Sequence, residues 1–323
     1  MSDTSAGPRC PICGNPGWHD RAWPECTHCG LAVERLDFDA DELRAAIRHM
    51  LERAPTTGHP FVPSAVEGRA AGAAHGVSTA LDTNGGEQGF ALAPHARRNA
   101  AWALGLVADG SGWRPARPRS HAVTLGIIAR ASELAQVAAM LGALRPHFPR
   151  AIVLLDGTMH DAATLAMQAR GVQVAAHPLD GDFAAQRNRV QAMADGWVLQ
   201  LDTDERPEPE LVAALGWLTA AADADGLVSL GLPRRNLVDG QVSALWPDIQ
   251  YRLNRAGVRF AGRVHERPVV PFAATSLALP GAIEHRLDRA RVLERSRVYE
   301  AMSAGAGRPG DEAALLRPFS AAT

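Results

Sequence analysis

Residues 197–204 read WVLQLDTD, an apolar run that leads directly into two aspartates, Asp202 and Asp204. A short, largely apolar run indicates a strand that is buried on both faces. Similar strand patterns precede it at 123–129, 151–155 and 172–175, with helical patterns between them at 134–144, 161–170 and 182–194. The alternation predicts an α/β fold in which helices flank a mostly parallel sheet.

Three aspartates follow the carboxyl ends of these predicted strands. Asp156 ends the second strand, while Asp202 and Asp204 follow the fourth. Ligands of open α/β sheets bind beyond the carboxyl ends of the strands, so we expect these side chains to face one ligand. Carboxylate oxygens suit Mg2+ or Mn2+, and such an ion can bridge a diphosphate and make it a better leaving group. A solvated turn before a helix near Pro207 is the alternative interpretation.

Two C-x-x-C-G motifs near the start of the chain predict a metal site. They supply all four cysteines of the sequence, which are Cys10, Cys13, Cys26 and Cys29. Four thiolates about 2.3 Å from one ion form the tetrahedral site of a zinc ribbon, and a glycine after each pair suits a tight turn. We expect Zn2+ in a structural role, with iron in a rubredoxin-like site as the alternative.

Composition narrows the class of protein. The 323 residues carry a formal net charge of -2, whereas domains that bind nucleic acid through phosphate contacts usually have a basic excess. We therefore expect no nucleic-acid partner. No apolar leader precedes the cysteines, and no run reaches the roughly 18 apolar residues of a membrane span. The sequence predicts a cytoplasmic protein, and the confinement of all thiols to residues 10–29 fits a reducing compartment.

Shifts in composition divide the chain into four predicted parts. Residues 1–35 form a zinc-ribbon-like module, and 36–119 contain a helix and a linker region rich in Gly, Ala and Pro. The alternating α/β pattern occupies 120–290, and 291–323 form a helical tail. We expect the ribbon to support folding, and the chemistry to belong to the α/β domain.

Several longer motifs resemble the family 2 glycosyltransferases. A helix with an Arg187-Asn188 pair is followed by ADGWVLQLDTDE at 194–205. Downstream, WPDIQYRL at 246–253 and GRVHE at 262–266 are similar to segments of the lipopolysaccharide-core glucosyltransferase-like branch. The resemblance covers roughly residues 121–289 and implies the GT-A fold.

The resemblance implies a site for a nucleoside-diphosphate sugar. Ala129, Arg130 and Asp156 would line the nucleotide pocket. Arg187 would lie near the diphosphate, because its fork of donors suits phosphate oxygens. Asp202 would contact the ribose or the metal.

The resemblance also implies a metal-dependent, inverting sugar transfer. Asp204 and Asp202 would hold Mg2+ or Mn2+, with His265 completing the site. Asp248 is the first candidate for the base that accepts the proton of the acceptor hydroxyl, and Glu266 is the alternative. The acceptor would be a glycan or a lipid-linked saccharide, which is compatible with peripheral association with the inner membrane.

Two other functions would use parts of the same pattern. A nucleotidyltransferase could use the sheet and the paired aspartates, although such enzymes usually place a Gly-rich loop where this chain reads IIARAS at 127–132. Alternatively, the ribbon is a protein- or nucleic-acid-binding module on a degenerate transferase scaffold. Binding of nucleotide sugars with and without Mn2+ separates these hypotheses.

Overall fold

The computed structural model describes residues 8–21, 23–53, 89–108, 113–158, 171–305 and 307–320. The helix predicted at 161–170 and most of the predicted linker lie outside these ranges. The chain forms two compact units. The first comprises Met1–Arg117, Leu277–Leu279 and Ala321–Thr323, and the second comprises Pro118–Ser276 and Pro280–Ser320.

Within the described residues, the first unit contains two small antiparallel sheets and two helices. The four-stranded sheet has the order β1 Trp18–His19, β2 Glu25–Cys26, β3 Leu31–Val33 and β4 Phe90–Leu92. The second sheet pairs β5 Leu106–Ala108 with β6 Trp113–Pro115, and the helices are α1 Ala40–Arg53 and α2 Pro94–Ala103.

Helix α1 has the pattern of an amphipathic surface helix. Leu43, Ile47 and Leu51 are buried at intervals of four residues, so they form one apolar face. Asp41 and Glu42 lie in the first turn, where negative charge interacts favourably with the helix dipole.

The second unit is built on a large sheet. Its strands are β7 Thr124–Arg130, β8 Arg150–Asp156, β9 Gln173–Ala176, β10 Trp197–Asp202, β11 Glu205–Pro207, β12 Ser229–Val238, β13 Gln241–Val242, β14 Asp248–Arg255, β17 Thr275–Leu277 and β18 Ile283–Leu287. The main path of the sheet runs β11-β18-β12-β14-β10-β7-β8-β9. A separate two-stranded sheet pairs β15 Phe260–Ala261 with β16 Arg267–Pro268.

The sheet is mixed rather than mostly parallel. The four predicted strands β10, β7, β8 and β9 are parallel neighbours. Beyond them, β14 is antiparallel to both β10 and β12, while β12 and β18 are parallel. Residues 239–247 connect β12 to β14. A parallel crossover needs about a dozen residues or more, so this short connection joins antiparallel strands.

Helices and short 3-10 turns connect the strands of the second unit. The α-helices are α3 Leu134–Leu144, α4 Phe183–Ala192, α5 Pro209–Ala224, α6 Arg289–Met302 and α7 Pro309–Leu316, and the 3-10 turns are Ala131–Glu133 and Phe272–Ala274. In the core, Val190 of α4 packs with Ile152, Leu154 and Val198 of the sheet. A Cβ on Gly126 of β7 would lie 2.6 Å from Cγ1 of Val190, so glycine permits this close packing.

Within the described ranges, none of the helices is long and apolar enough to cross a membrane.

Candidate functional site

Four sulfur atoms converge in the first unit. Sγ of Cys10 lies 3.4 Å from Sγ of Cys29, and Sγ of Cys13 lies 3.5 Å from Sγ of Cys26. All four Sγ atoms lie within 4.8 Å of one another, and none of the cysteines forms a disulfide. Zn–S bonds of about 2.3 Å give a tetrahedron with edges of about 3.8 Å. The cysteine cluster therefore has the dimensions of a site for a metal ion such as Zn2+.

Each cysteine pair is held by a tight turn. The backbone N–H of Gly14 donates to the carbonyl of Cys10 at 2.8 Å, and that of Gly30 donates to the carbonyl of Cys26 at 3.1 Å. Both glycines have left-handed backbones, with φ values of 74° and 77°. A Cβ at Gly30 would also lie 2.4 Å from Nε2 of His95. Local chain geometry thus requires the glycine that follows each pair.

The cysteine cluster also has a polar support. The buried Asn15 points Nδ2 at Sγ of Cys26, 3.6 Å away, and donates to Oγ1 of Thr27 at 2.7 Å. Hydrogen bonds with neighbouring sulfur atoms and burial raise the pKa of Cys13 and Cys29 well above the ordinary thiol value. These thiols keep their protons until a cation displaces them, as in metal sites whose assembly releases protons.

In the second unit, acids and arginines meet at the carboxyl end of β10. Oδ1 of Asp202 accepts a hydrogen bond from Nη2 of Arg187 at 3.1 Å, and Oδ2 accepts one from Nη2 of Arg252 at 2.7 Å. The fully buried Glu205 accepts from Arg252 and from Nη1 of Arg234, both at 3.1 Å. Burial, together with the charge of Asp202, raises the pKa of Glu205 to about 7 against the opposing effect of Arg234.

Asp204 has a different set of partners. Its Oδ2 lies 2.9 Å from Nη2 of Arg291, 3.6 Å from Nη1 of Arg295 and 3.4 Å from Nε2 of His285. Burial raises the pKa of Asp204, but its interaction with His285 and the positive charges of Arg295 and Arg291 outweigh this effect, so the net shift is downward. Asp204 is therefore a carboxylate at neutral pH.

The predicted base Asp248 begins β14 and is held on both oxygens. Its Oδ2 accepts from Nη2 of Arg234 at 2.6 Å and from Nδ2 of Asn236 at 3.0 Å, and its Oδ1 accepts from Gln250 at 2.6 Å. Burial raises the pKa of Asp248, but the charge of Arg234 and these hydrogen bonds lower it by more than burial raises it. The pKa of Asp248 therefore lies below its usual value. Asp248 is ionised at neutral pH.

The alternative base Glu266 pairs with the buried guanidinium of Arg187, which therefore links Glu266 to Asp202. We call these five acids (Asp202, Asp204, Glu205, Asp248 and Glu266), with Arg187, Arg234, Arg252, Arg291 and Arg295, the carboxylate–arginine cluster.

The predicted metal ligand His265 packs against an aromatic ring. It has a left-handed backbone with φ of 54°, and its ring meets Tyr299 edge-on with centroids 5.3 Å apart. A different histidine, His285, has Nε2 3.4 Å from Oδ2 of Asp204. Among the described residues, the four cysteines form the one group of three or more His, Cys, Asp or Glu side chains whose ligand atoms lie within 4.8 Å of one another. Asp202, Asp204 and His265 do not form a second group of this kind.

The residues predicted to line the nucleotide pocket lie at the same edge of the sheet. Arg130 and Asp156 are direct partners in the parallel register of β7 and β8, and Ala129 is buried beside them. Asp202 pairs with Ile128 of β7, so it ends at this edge too. Oδ1 of Asp156 accepts from the backbone N–H of Leu179 at 2.9 Å.

A cavity lies at the opposite, amino-terminal ends of β7 and β10. Its lining includes His121, Trp197, Thr219 and Arg255. The residues that were predicted to act on a ligand are not in this lining.

Sequence reasoning missed the later members of the carboxylate–arginine cluster. Arg252 lies within the WPDIQYRL motif, which was the one signal for it. Spacing along the sequence does not predict the contacts of the other residues that meet the acids, because they form only in the tertiary structure. These residues are Arg234, Arg291, Arg295 and His285.

The fold and these two clusters define a mixed α/β protein with a four-cysteine module that can hold a metal ion. No protein-family model matches the chain, and no match was found among curated proteins.

Proposed function

We propose that the chain is a metal-dependent glycosyltransferase. It would transfer a sugar, with inversion, from a nucleoside-diphosphate sugar to a glycan or lipid-linked saccharide. The observation that carries the proposal is the position of Asp202 and Asp204, at the end of a buried strand and beside the carboxyl ends of β7 and β8. This edge is where α/β sheets bind their ligands.

The donor would lie along this edge of the sheet. Ala129, Arg130 and Asp156 would contact the nucleoside, since β7 ends next to β10 and β8 ends next to β7. Arg187 is buried and bonded to Asp202 and Glu266, so it would support the diphosphate site by fixing these carboxylates.

Charge balance in the carboxylate–arginine cluster supports joint binding of a cation and a diphosphate. The cluster contains as many guanidinium groups as carboxyl groups, and each carboxyl group contacts at least one guanidinium. A divalent cation and the two charged phosphates of a nucleotide sugar carry opposite charges of similar size. Binding both preserves the balance, whereas binding either one alone disturbs it. We therefore expect the two ligands to bind cooperatively.

The donor atoms of Asp202 and Asp204 fit the proposed metal. Carboxylate oxygens are the ligands that Mg2+ and Mn2+ prefer. When bound, the ion would neutralise the diphosphate leaving group. The acceptor proton would pass to Asp248, which is paired with Arg234, or to Glu266, which is paired with the buried Arg187.

A thermal-shift experiment on the full chain tests the proposal. We expect UDP- or GDP-sugars to raise the melting temperature in the presence of Mn2+, and to have little effect without it. Asp204→Asn should abolish the response. Asp195→Asn, which changes an exposed acid paired with Arg150, should retain it. If no nucleotide sugar shifts the wild-type melting temperature, the transferase proposal fails.

Two conservative substitutions identify the base. Asp248→Asn and Glu266→Gln should both retain the response to donor and Mn2+, while one of them abolishes turnover. Equal activity in both variants would contradict the assignment.

A binding function is the second candidate, because arginines already neutralise Asp202 and Asp204. In this case the cysteine cluster would organise a protein- or nucleic-acid-binding module on an inactive transferase scaffold. This candidate predicts that no nucleotide sugar stabilises the protein, with or without Mn2+.

A further inference from the structure

Helix α6 presents two arginines to a single carboxylate oxygen. Nη2 of Arg291 lies 2.9 Å and Nη1 of Arg295 lies 3.6 Å from Oδ2 of Asp204. The two arginines are four positions apart, so they share a face of the helix. Asp288 caps the start of α6 by accepting the backbone N–H of Arg291 at 2.7 Å. The first turn of α6 is therefore anchored where it reaches Asp204.

Arg295 lies between two electron-pair donors. Its Nη1 is 3.2 Å from Nε2 of His285, and Nε2 is itself 3.4 Å from Oδ2 of Asp204. Nδ2 of Asn236 donates to Asp248, which turns Oδ1 of Asn236 toward Nδ1 of His285 at 2.7 Å. Because Oδ1 only accepts, Nδ1 carries a proton, and in the neutral imidazole Nε2 then presents a lone pair. The guanidinium thus occupies a place that suits a cation.

The body of α6 is weakly anchored. Among its residues, Val292 is the buried one, and Arg289 and Arg297 are exposed. Elements with few buried apolar contacts are those that open locally at low cost in free energy. The helix can therefore change its contacts with Asp204 without unfolding the sheet.

We propose that Arg291 and Arg295 act as an internal cation that competes with a divalent metal ion for Asp204. This inference rests on the proposed function. A guanidinium and a metal ion repel each other at contact distance, so metal binding requires the two arginines to leave Asp204. The diphosphate of the donor is the anion that would attract the released arginines. Metal and donor then favour each other's binding, and metal alone binds weakly.

Mn2+ titrations of the full chain without nucleotide test the competition directly. Affinity can be measured from the electron paramagnetic resonance signal of free Mn2+. The double variant Arg291→Gln/Arg295→Gln should bind Mn2+ about tenfold more tightly than the wild type, within the range typical of coupled sites. With Mn2+ present, its affinity for UDP should fall.

The matched control is Arg289→Gln/Arg297→Gln, which removes two charges from exposed positions of the same helix. It should change Mn2+ affinity much less, because it tests only the long-range effect of charge. An equal gain in both double variants would overturn the proposal, as would Mn2+ binding that is unchanged or undetectable in Arg291→Gln/Arg295→Gln.

Hydrogen exchange of the wild type supplies a measurement that needs no variant. Saturating Mn2+ should speed the exchange of backbone amides in residues 289–302, and unchanged exchange would contradict the proposed displacement. The inference and the proposed function can fail separately. Tighter Mn2+ binding in the double variant without any response to nucleotides would retain the competition and reject the glycosyltransferase.

Discussion

The cysteine cluster and the carboxylate–arginine cluster differ in the groups that already contact their metal-ligand atoms. The four sulfur atoms face one another, with Asn15 as a neutral donor beside them. The carboxyl groups of Asp202 and Asp204 instead contact guanidinium groups. The sulfur atoms can all act as thiolates only when a cation neutralises their charge, whereas the acids are neutralised by the protein itself. We therefore expect a metal to have a structural role in the cysteine cluster. In the carboxylate–arginine cluster, we expect a metal to bind only when guanidinium groups leave the acids.

The largest expected effect would come from breaking the cysteine cluster. Cys10→Ser should abolish bound zinc and unfold the cysteine turns, because apparent binding free energies of structural zinc are about 10–16 kcal/mol. Metal analysis of the purified protein and alkylation of the remaining cysteines would measure both effects. His19→Ala alters an exposed histidine outside the cluster and should retain the metal. Finding iron in place of zinc would assign the site to the rubredoxin-like alternative.

A smaller but still large effect is expected from breaking the carboxylate–arginine cluster. Arg252 is buried and contacts both Asp202 and Glu205. Arg252→Met should lower the free energy of unfolding by about 3–5 kcal/mol, because it leaves buried acids with fewer counter-ions. Arg286→Met removes an exposed pair with Glu284 and should cost about 1 kcal/mol or less. Urea denaturation would compare the two variants, and equal losses would contradict the buried role.

A substitution at Asn15 would sharpen the description of the cysteine cluster. Asn15→Ala removes the donor near Sγ of Cys26 and should weaken metal affinity by about tenfold or more, as loss of outer-shell hydrogen bonds does at other metal sites. Thr27→Val removes the bond between Asn15 and Thr27 and the bond from Oγ1 of Thr27 to the carbonyl of Gly17. It leaves the donor near Sγ of Cys26 in place, so it should have a smaller effect. Competition with a chromogenic chelator would measure both affinities. A similar loss in both variants would assign the effect to the turn rather than to the sulfur.

The smallest effect concerns the pH dependence of Asp248. Its pKa is lowered in the folded protein, so its stabilisation is present above the unfolded value of about 3.9. That stabilisation is lost as the pH falls through the lower folded pKa. The difference in unfolding free energy between wild type and Asp248→Asn should stay constant from pH 7 to about pH 5 and shrink below about pH 4. Denaturation across this range would show it, and a difference that grows with acid would contradict the assignment.

Periodicity predicted the part of the fold that depends on local pattern. The apolar runs that predicted β7, β8, β9 and β10 form parallel neighbours, and the helical patterns at 134–144 and 182–194 correspond to α3 and α4. The mixed half of the sheet was not predicted. Its strand β12 includes Arg234 and Asn236, whose polar character is explained only by the acids that they meet, Glu205 and Asp248.

The sequence alone determined the cysteine cluster, because a turn of a few residues fixes the sulfur atoms of each C-x-x-C-G motif in relation to each other. It also placed Asp202 at the end of a strand. Only the tertiary structure decided which groups meet the acids. Arg252 reaches Asp202 across 50 positions of the chain, and Arg291 reaches Asp204 from a helix far along the sequence. Ion pairs depend on distances in the folded protein, so the separation of two residues along the chain does not predict whether they pair.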